Sequence, residues 1–441
     1  MKKKGLYVGL TMIFGMAVAV FFFSSFSSDY EDQDDRRNST DQIELTFWRN
    51  YGNPAENQAY EKLISNFEEA HPNILIDMQP IQYSDYELRL RTELAAGTPP
   101  DVLAIDSPNL ALYANAGSLL SIDKYMREEG DLEDIPEATL NGMIFQNEIY
   151  LAPLVESSIA LFYNKHLFKE AGVPFPSEDP DNPMTWEEVL EIARKVNNPE
   201  KEVYGIDPAH GFGDGESPAY YKMPLLWQFG ASVLSADGTT ASGYLDSQEA
   251  IEALQFYQDL YYKEGVASIE LPPDPFETGH LAMTVIGSWH LTELEDNHQL
   301  KLEEDFGVAP LPKANHQVVP NGGWSLGISS KTKYPDEAWK FIRYMTSYEG
   351  MKKYVEVTGD IPARFSVAND FPELNEYPRN IFIQQAQTYS KNRPVTPAYP
   401  VVSDAIKTLF EEVGIGGKDV EASAKEAVEK INTRLAEIRQ Q

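Results

Sequence analysis

The sequence predicts an α/β protein of two lobes built on parallel-rich sheets flanked by helices, and three observations carry the prediction. The chain has 441 residues, more than one ordinary hydrophobic core accommodates. From Ile43 to Asp106 the apolar residues switch repeatedly between the period of a strand and the period of a helix. Glycine (28) and proline (29) are spread along the chain and do not gather in one linker. Two lobes that share several crossings suit that spread better than domains strung in a row.

The elements follow in order. Ile43, Leu45 and Phe47 interleave with Glu44, Thr46 and Trp48, a strand. Tyr60, Leu63, Ile64 and Phe67 recur at helical spacing, and Ile74 to Met78 is a second strand. Tyr86, Leu90 and Leu94 mark a helix closed by Gly97. "DVLAID" (Asp101 to Asp106) reads as a buried strand. This β-α-β-α-β run specifies parallel strands with right-handed crossovers. In open sheets of that kind ligands sit beyond the carboxyl ends of the strands, here Trp48-Arg49-Asn50-Tyr51 and Asp106-Ser107. "NEIYLAPLVESSIALFYNK" (Asn147 to Lys165) splits at Pro153 and Glu156 into a crossing strand and a strand inside the second lobe. Thr185 to Glu188 has the spacing of a capping box, and Asp246 to Glu249 repeats it. Pro335 opens a helix, and a last helix runs from Val420 to Arg439.

Composition excludes several functions. The formal net charge is -33, from 69 acidic and 36 basic residues, which argues against a nucleic-acid partner because phosphates need a basic surface. The chain has no cysteine, so disulfides, thiolate catalysis and cysteine-held metals are out. Lys2, Lys3 and Lys4 precede an apolar run from Leu6 to Phe26, which places the N-terminus inside the cell and the rest outside. The run is also about as long as a bilayer span, so a cleaved export signal and a retained anchor are both open. Residues 1–28 form this targeting segment, and 29–42, rich in Asp, Glu, Asn and Ser, form a flexible tether.

Gly323-Trp324-Ser325-Leu326-Gly327 is a literal G-x-S-x-G. A hydrolase elbow needs a strand before the serine, a helix after it and a later histidine. Here "LGISS" reads as a strand and the last histidine is His316. The loop is better read as one whose glycines let the backbone and Trp324 approach a ligand. His280, His290 and His298 lack metal-site spacing, and no phosphate-binding glycine motif is present. The expectation is no metal and no cofactor, with a structural calcium ion left open at "DPDNP" (Asp179 to Pro183), which reads as a solvated turn. Aromatics do sit beside polar groups at turns: Trp48, Tyr51, Trp227, Trp289, Trp324 and Tyr399. Sugars have apolar faces and a hydroxyl rim, and a site for them wants flat rings with amides and carboxylates around them. Trp186 and Trp339, on helices, read as core.

Six segments in order then carry a resemblance over almost the whole chain after residue 42. They are "LAAGTPPDVLAID" (94–106), "LFYNKHLFKEAGV" (161–173) with "NPMTWEEVLEIA" (182–193), "FETGHLAMTVIGSW" (276–289), "FGVAPLP" (306–312), "GGWSLGISSKTKYPDEAWKFIRYMTS" (322–347) and "TGDIPAR" (358–364). The chain resembles the family 1 extracellular solute-binding proteins of bacterial ABC sugar importers. The resemblance implies a periplasmic-binding-protein-like fold with a cleft between lobes, and crossings near Leu151, Pro310 and Tyr354. Residues 43–151 and 311–354 would form the N-terminal lobe, and 152–310 and 355–441 the C-terminal lobe. It implies capture of a sugar or oligosaccharide by lobe closure, delivery to a membrane permease, and no catalysis. It implies a monomer at the outer face of the membrane, anchored or released. Carried over by position, Trp48 and Asn50 end the first strand, and Asp106 and Glu156 accept hydroxyl hydrogen bonds. Trp227 and Trp289 stack, with Ser288 alongside. Gly323 and Trp324 line the rim, Arg364 bonds hydroxyls or a carboxylate, and Tyr399 joins them. Arg49 and Arg364 leave room for a uronate. Members from Gram-positive bacteria are usually tethered through a cysteine, which this chain lacks.

Two alternatives stand beside this. A secreted glycosidase would use two carboxylates, with Asp106 and Glu156 as candidates. A binding protein for peptides or amino acids would want matched charges in its pocket.

Overall fold

The computed structural model describes residues 42–208 and 215–440. The targeting segment and the tether up to Asp41 lie outside the described residues. Among the described residues no helix is long and apolar enough to cross a membrane.

Strand β1 (Ile43–Tyr51) is buried from Phe47 to Asn50 and lies second in its sheet, between two parallel neighbours. Asn53 caps helix α1 (Pro54–Ala70) through Glu56 N, and Pro54 sits in the first turn, where its missing N–H costs nothing. The apolar stripe Ala59, Tyr60, Leu63, Ile64 and Phe67 faces the core. Strand β2 (Ile74–Gln82) lies parallel to β1. Helix α2 (Tyr83–Ala96) ends at Gly97 in the left-handed conformation, and strand β3 (Val102–Asp106) lies parallel to β1 on its other side. The Tyr86 hydroxyl donates to Ala104 O at 2.6 Å, with Trp48 O 3.1 Å away. That bolts α2 across the ends of β1 and β3. At the opposite end Asp101 accepts from Thr46 N (2.9 Å), Thr46 Oγ1 (2.8 Å) and Thr332 Oγ1 (2.7 Å).

The parallel run stops there. The strand Trp324–Ser329 inserts beside β3, antiparallel, and also pairs with Leu119–Leu120 and Leu151–Pro153. Ser325, the serine of the G-x-S-x-G match, therefore lies inside a strand opposite Ile105 and is buried. No strand-turn-helix surrounds it, so it is not a nucleophile elbow. The second sheet is antiparallel: Ile159–Asn164 is flanked by Met283–Gly287 and Phe306–Ala309.

The alternation of side chains along a strand gives Ile159–Asn164 a double role. Ile159, Leu161 and Tyr163 pack into a second hydrophobic cluster, whereas Ala160 and Phe162 pack into the first. The first cluster runs on through Phe306 and Phe382 and takes in Val355 to Ile383. The second is built on the helices Trp186–Val196, Ser217–Phe229, Gln248–Tyr262, Tyr399–Phe410 and Val420–Arg439. The capping box at Thr185 and Glu188 is formed. The helix at 248 is capped by Ser247, which accepts from Ala250 N, and not by Asp246, whose carboxylate accepts from Gly243 N. Serine reaches the N3 amide from the N-cap position; Asp246 is one residue too early for it.

Four segments run side by side between the clusters. Val155–Glu156 pairs with Ile361–Pro362, Ser157 bridges Gly322, and Val319–Pro320 pairs with Ser390–Lys391.

Candidate functional site

Where β1, β3 and the crossing segments end, a cavity of about 610 Å³ opens, well within the range of small-molecule sites. Asn50 and Tyr51 enter it from β1, Gly52 to Glu56 from the start of α1, Tyr83 from α2 and Asp106 from β3. Val155 to Ser157 and Gly322 to Trp324 come from the crossings. From the second cluster come Glu216, Ser217, Tyr220 and Tyr221, and from the turn after Met283–Gly287 come Ser288, Trp289, Thr292 and Glu293. Tyr354, Asp360 and Arg393 complete the wall.

Trp289 is 37% exposed and leans toward the Tyr220 ring, whose centroid is 6.2 Å away. Trp324 stands edge-on to Tyr83 and Tyr86. The carboxylates around them are not equivalent. Burial pushes Glu156 up to about 8, with Thr139 and Arg393 pulling the other way. Burial and the neighbouring Glu56 push Asp360 up to about 7. Glu56 is itself raised by burial, against its ion pair with Arg49 at 3.3 Å. Behind Trp289, His290 joins Glu277 (2.8 Å) and Glu293 (3.0 Å). Burial disfavours its charge, but these two carboxylates outweigh that and lift it to about 9. The imidazolium holds the first turn of the helix His290–Asp296 against the wall of the cavity.

Of the residues expected to bind, the cavity brings together Asn50, Asp106, Glu156, Ser288, Trp289, Gly323 and Trp324. Four lie elsewhere. Trp48 is one pleat below Asn50, buried in the first cluster under the Arg89 guanidinium at 4.6 Å. Trp227 is on the inner face of its helix, with Lys391 Nζ 5.2 Å from its ring. Tyr399 is fully buried, and its hydroxyl donates to the Glu216 carboxylate from beneath the cavity. Arg364 donates to Thr346 O (2.7 Å) and Gly130 O (2.9 Å) and pairs with Asp134 at 3.3 Å. Arg49, too, is turned inward, over the Tyr60 ring at 4.2 Å and onto Asn57 at 2.9 Å. Arg393 is the one cationic side chain among the described residues of the wall, and two carboxylates hold it.

The sequence reading passed over Arg393, Glu216, Tyr220, Tyr83 and Glu56. Glu216 and Arg393 carry one legible signal: each is a charged residue in a Gly- or Pro-rich stretch directly before a helix, "GFGDGESP" and "NRPVTPAYP". Tyr220 lies mid-pattern in a helix and resembles any core tyrosine.

Replacing Arg364 with methionine is expected to lower stability by about 2 kcal/mol, because buried carbonyls lose their donor. Ligand affinity should stay within about twofold. Calorimetry of folding and of binding on the same protein checks both; a larger loss of affinity would return Arg364 to the site.

A sequence profile described as "Bacterial extracellular solute-binding protein" matches residues 51–352, which is more than half of the chain. The chain belongs to that family. It is 26% identical over 399 residues to a maltotriose-binding protein of Pyrococcus abyssi, across 88% of this chain and 81% of the relative. Among solved structures, this solute-binding protein superposes on one from Thermotoga lettingae bound with α-D-tagatose, with a TM-score of 0.76 and 28% identity, covering 89% of this chain and all of the other. It also shares its fold with a substrate-binding protein of Listeria monocytogenes in complex with cycloalternan, at a TM-score of 0.78, 23% identity, and coverage of 90% and 100%.

Proposed function

We propose that this solute-binding protein captures a sugar or oligosaccharide outside the cell, closes its two lobes over it and hands it to the membrane permease of an ABC importer. The observation that carries the reading is the wall of the cavity: the half-exposed indole of Trp289 and the rings of Tyr220 and Trp324 stand among Asn50, Asp106, Glu156 and Ser288. Flat apolar faces next to acceptors match the two kinds of surface a sugar presents. The names of the relatives support the same ligand class.

The ligand is neutral in this reading. A uronate would bring a carboxylate to a wall whose Arg393 is already paired, with Arg49 and Arg364 held by other acceptors. The protein binds and releases; it does not cleave. A glycosidase would need one carboxylate poised as nucleophile or base, and both oxygens of Asp106 are engaged by Arg393. The protein acts as a monomer at the outer membrane face, exported by its first 28 residues.

A thermal-shift screen of residues 29–441 against neutral oligosaccharides, uronates, amino acids and peptides tests this. A neutral sugar should raise the melting temperature in a concentration-dependent way and be recovered intact. Stabilisation by peptides alone, or recovery of cleaved sugar, would overturn it. Trp289→Ala should weaken the same sugar at least tenfold by titration calorimetry, since a ring platform is worth about 1.4 kcal/mol or more. An unchanged Kd would remove the indole from the site.

A further inference from the structure

We infer that Gly287 is a positioning residue: its missing side chain is the seat on which the Trp289 indole lies, and it thereby sets where the stacking platform stands in the cavity. Gly287 ends the strand Met283–Gly287, is buried, and pairs with Ile159 in the ladder. Its φ is not positive, so the backbone there does not demand glycine. The space does. A Cβ on Gly287 would stand far inside van der Waals contact of Cη2 and Cζ3 of Trp289, and 2.5 Å from its Cε3. These three atoms form the outer edge of the six-membered ring. The indole therefore doubles back over the residue two places before it and rests on a bare Cα.

The other neighbours leave the ring one way to go. The Tyr220 ring lies 6.2 Å away and is itself held, with its hydroxyl 2.8 Å from Ser157 Oγ and its face edge-on to Tyr221 at 5.4 Å. On the chain side, His290 ties the next turn to Glu277 and Glu293, so the backbone does not follow the ring. With the seat filled, the indole has to swing by about 1 Å or more into the open cavity that it lines. That movement costs the fold little, because the colliding atoms are the free end of a side chain that is 37% exposed. It costs the site a great deal, because a ring platform works only at van der Waals contact. This asymmetry separates a positioning role from ordinary core packing.

Gly287→Ala tests the seat by splitting stability from binding. The melting temperature should move by less than about 4 °C. Affinity for the neutral sugar that gives the largest shift in the thermal screen should fall about tenfold by titration calorimetry. On a Trp289→Phe background, where the phenyl ring lacks the outer edge, the same alanine should cost less than about twofold. A signature without sugar comes from labelling the six tryptophans with fluorine at ring carbon Cζ2, off the contacting edge. The resonance that Trp289→Phe removes should be the one that Gly287→Ala shifts, with the others in place. An unmoved resonance, an unchanged affinity or an equal loss in both backgrounds would overturn the seat. If Gly287→Ala fails to fold, folding of the double variant Gly287→Ala/Trp289→Phe would support the collision with the ring. Failure of both would overturn it and make the glycine a requirement of the core. The inference rests on the sugar-binding reading, but the fluorine spectrum is recorded without sugar, so a wrong seat and a wrong ligand class show themselves in different experiments.

Discussion

Replacing Gly323 with alanine is expected to remove about 4 kcal/mol or more of stability, the largest single-residue effect the cleft offers. The residue has φ of +140°, a conformation that L side chains rarely adopt. A Cβ there would stand 1.9 Å from Val155 O and 3.0 Å from Glu156 Cα. Both are backbone, and neither can rotate away. Strain at such a backbone angle is worth about 1–3 kcal/mol, and the collision adds to it. Gly97 supplies the control. It too has positive φ, at +80°, but nothing lies within 4 Å of its Cβ position. Gly97→Ala should cost only about 1–2 kcal/mol. Chemical denaturation of the two variants side by side separates strain from collision, and equal losses would show that the tight crossing of the two segments does not require glycine.

Glu156→Gln is expected to work in the other direction, stabilising the protein by about 3 kcal/mol at neutral pH. The folded chain holds the Glu156 proton up to about pH 8, whereas an ordinary glutamate loses it at 4.5. Between those values the unfolded state carries one proton fewer than the folded state. Stability therefore falls as pH rises across that window, by about 1.4 kcal/mol per unit, and levels off above it. Glutamine cannot ionise, and its amide oxygen can still accept from Thr139. The difference between variant and parent should be near zero at pH 4.5 and grow steadily toward pH 8 in denaturation experiments. A difference independent of pH would mean that the carboxylate is ionised in its pocket.

How much of this was legible in the sequence depends on distance along the chain. The run from Ile43 to Asp106 could be read because each element there is positioned by its immediate neighbours: a cap at Asn53, a stop at Gly97, an alternation in between. Seven of the eleven expected binding residues reach the cavity for a related reason, since they sit at strand ends, which the topology gathers. The others fail on orientation. Trp48 and Asn50 share a face of β1, and only the packing of α2 shows that the lower one is covered. Trp227 and Tyr399 are set by which face of a helix meets the second cluster. Arg364 and Arg393 are both arginines in loops, and nothing local distinguishes the one that ties down Gly130 and Thr346 from the one that pairs with Asp106. Those partners lie far away in sequence, beyond what periodicity can report. The antiparallel course of Trp324–Ser329 was hidden in the same way, because a single strand carries no sign of its neighbour's direction.

That inserted strand governs when the protein can fold. Trp324 pairs with Asp106, about 200 residues earlier in the chain. Until the ribosome has delivered most of the polypeptide, β3 has an open edge and the first sheet has no centre. Pairings so remote in sequence form slowly, because a long loop must close before they return anything. A chain of this connectivity cannot complete its first sheet until most of it has been made.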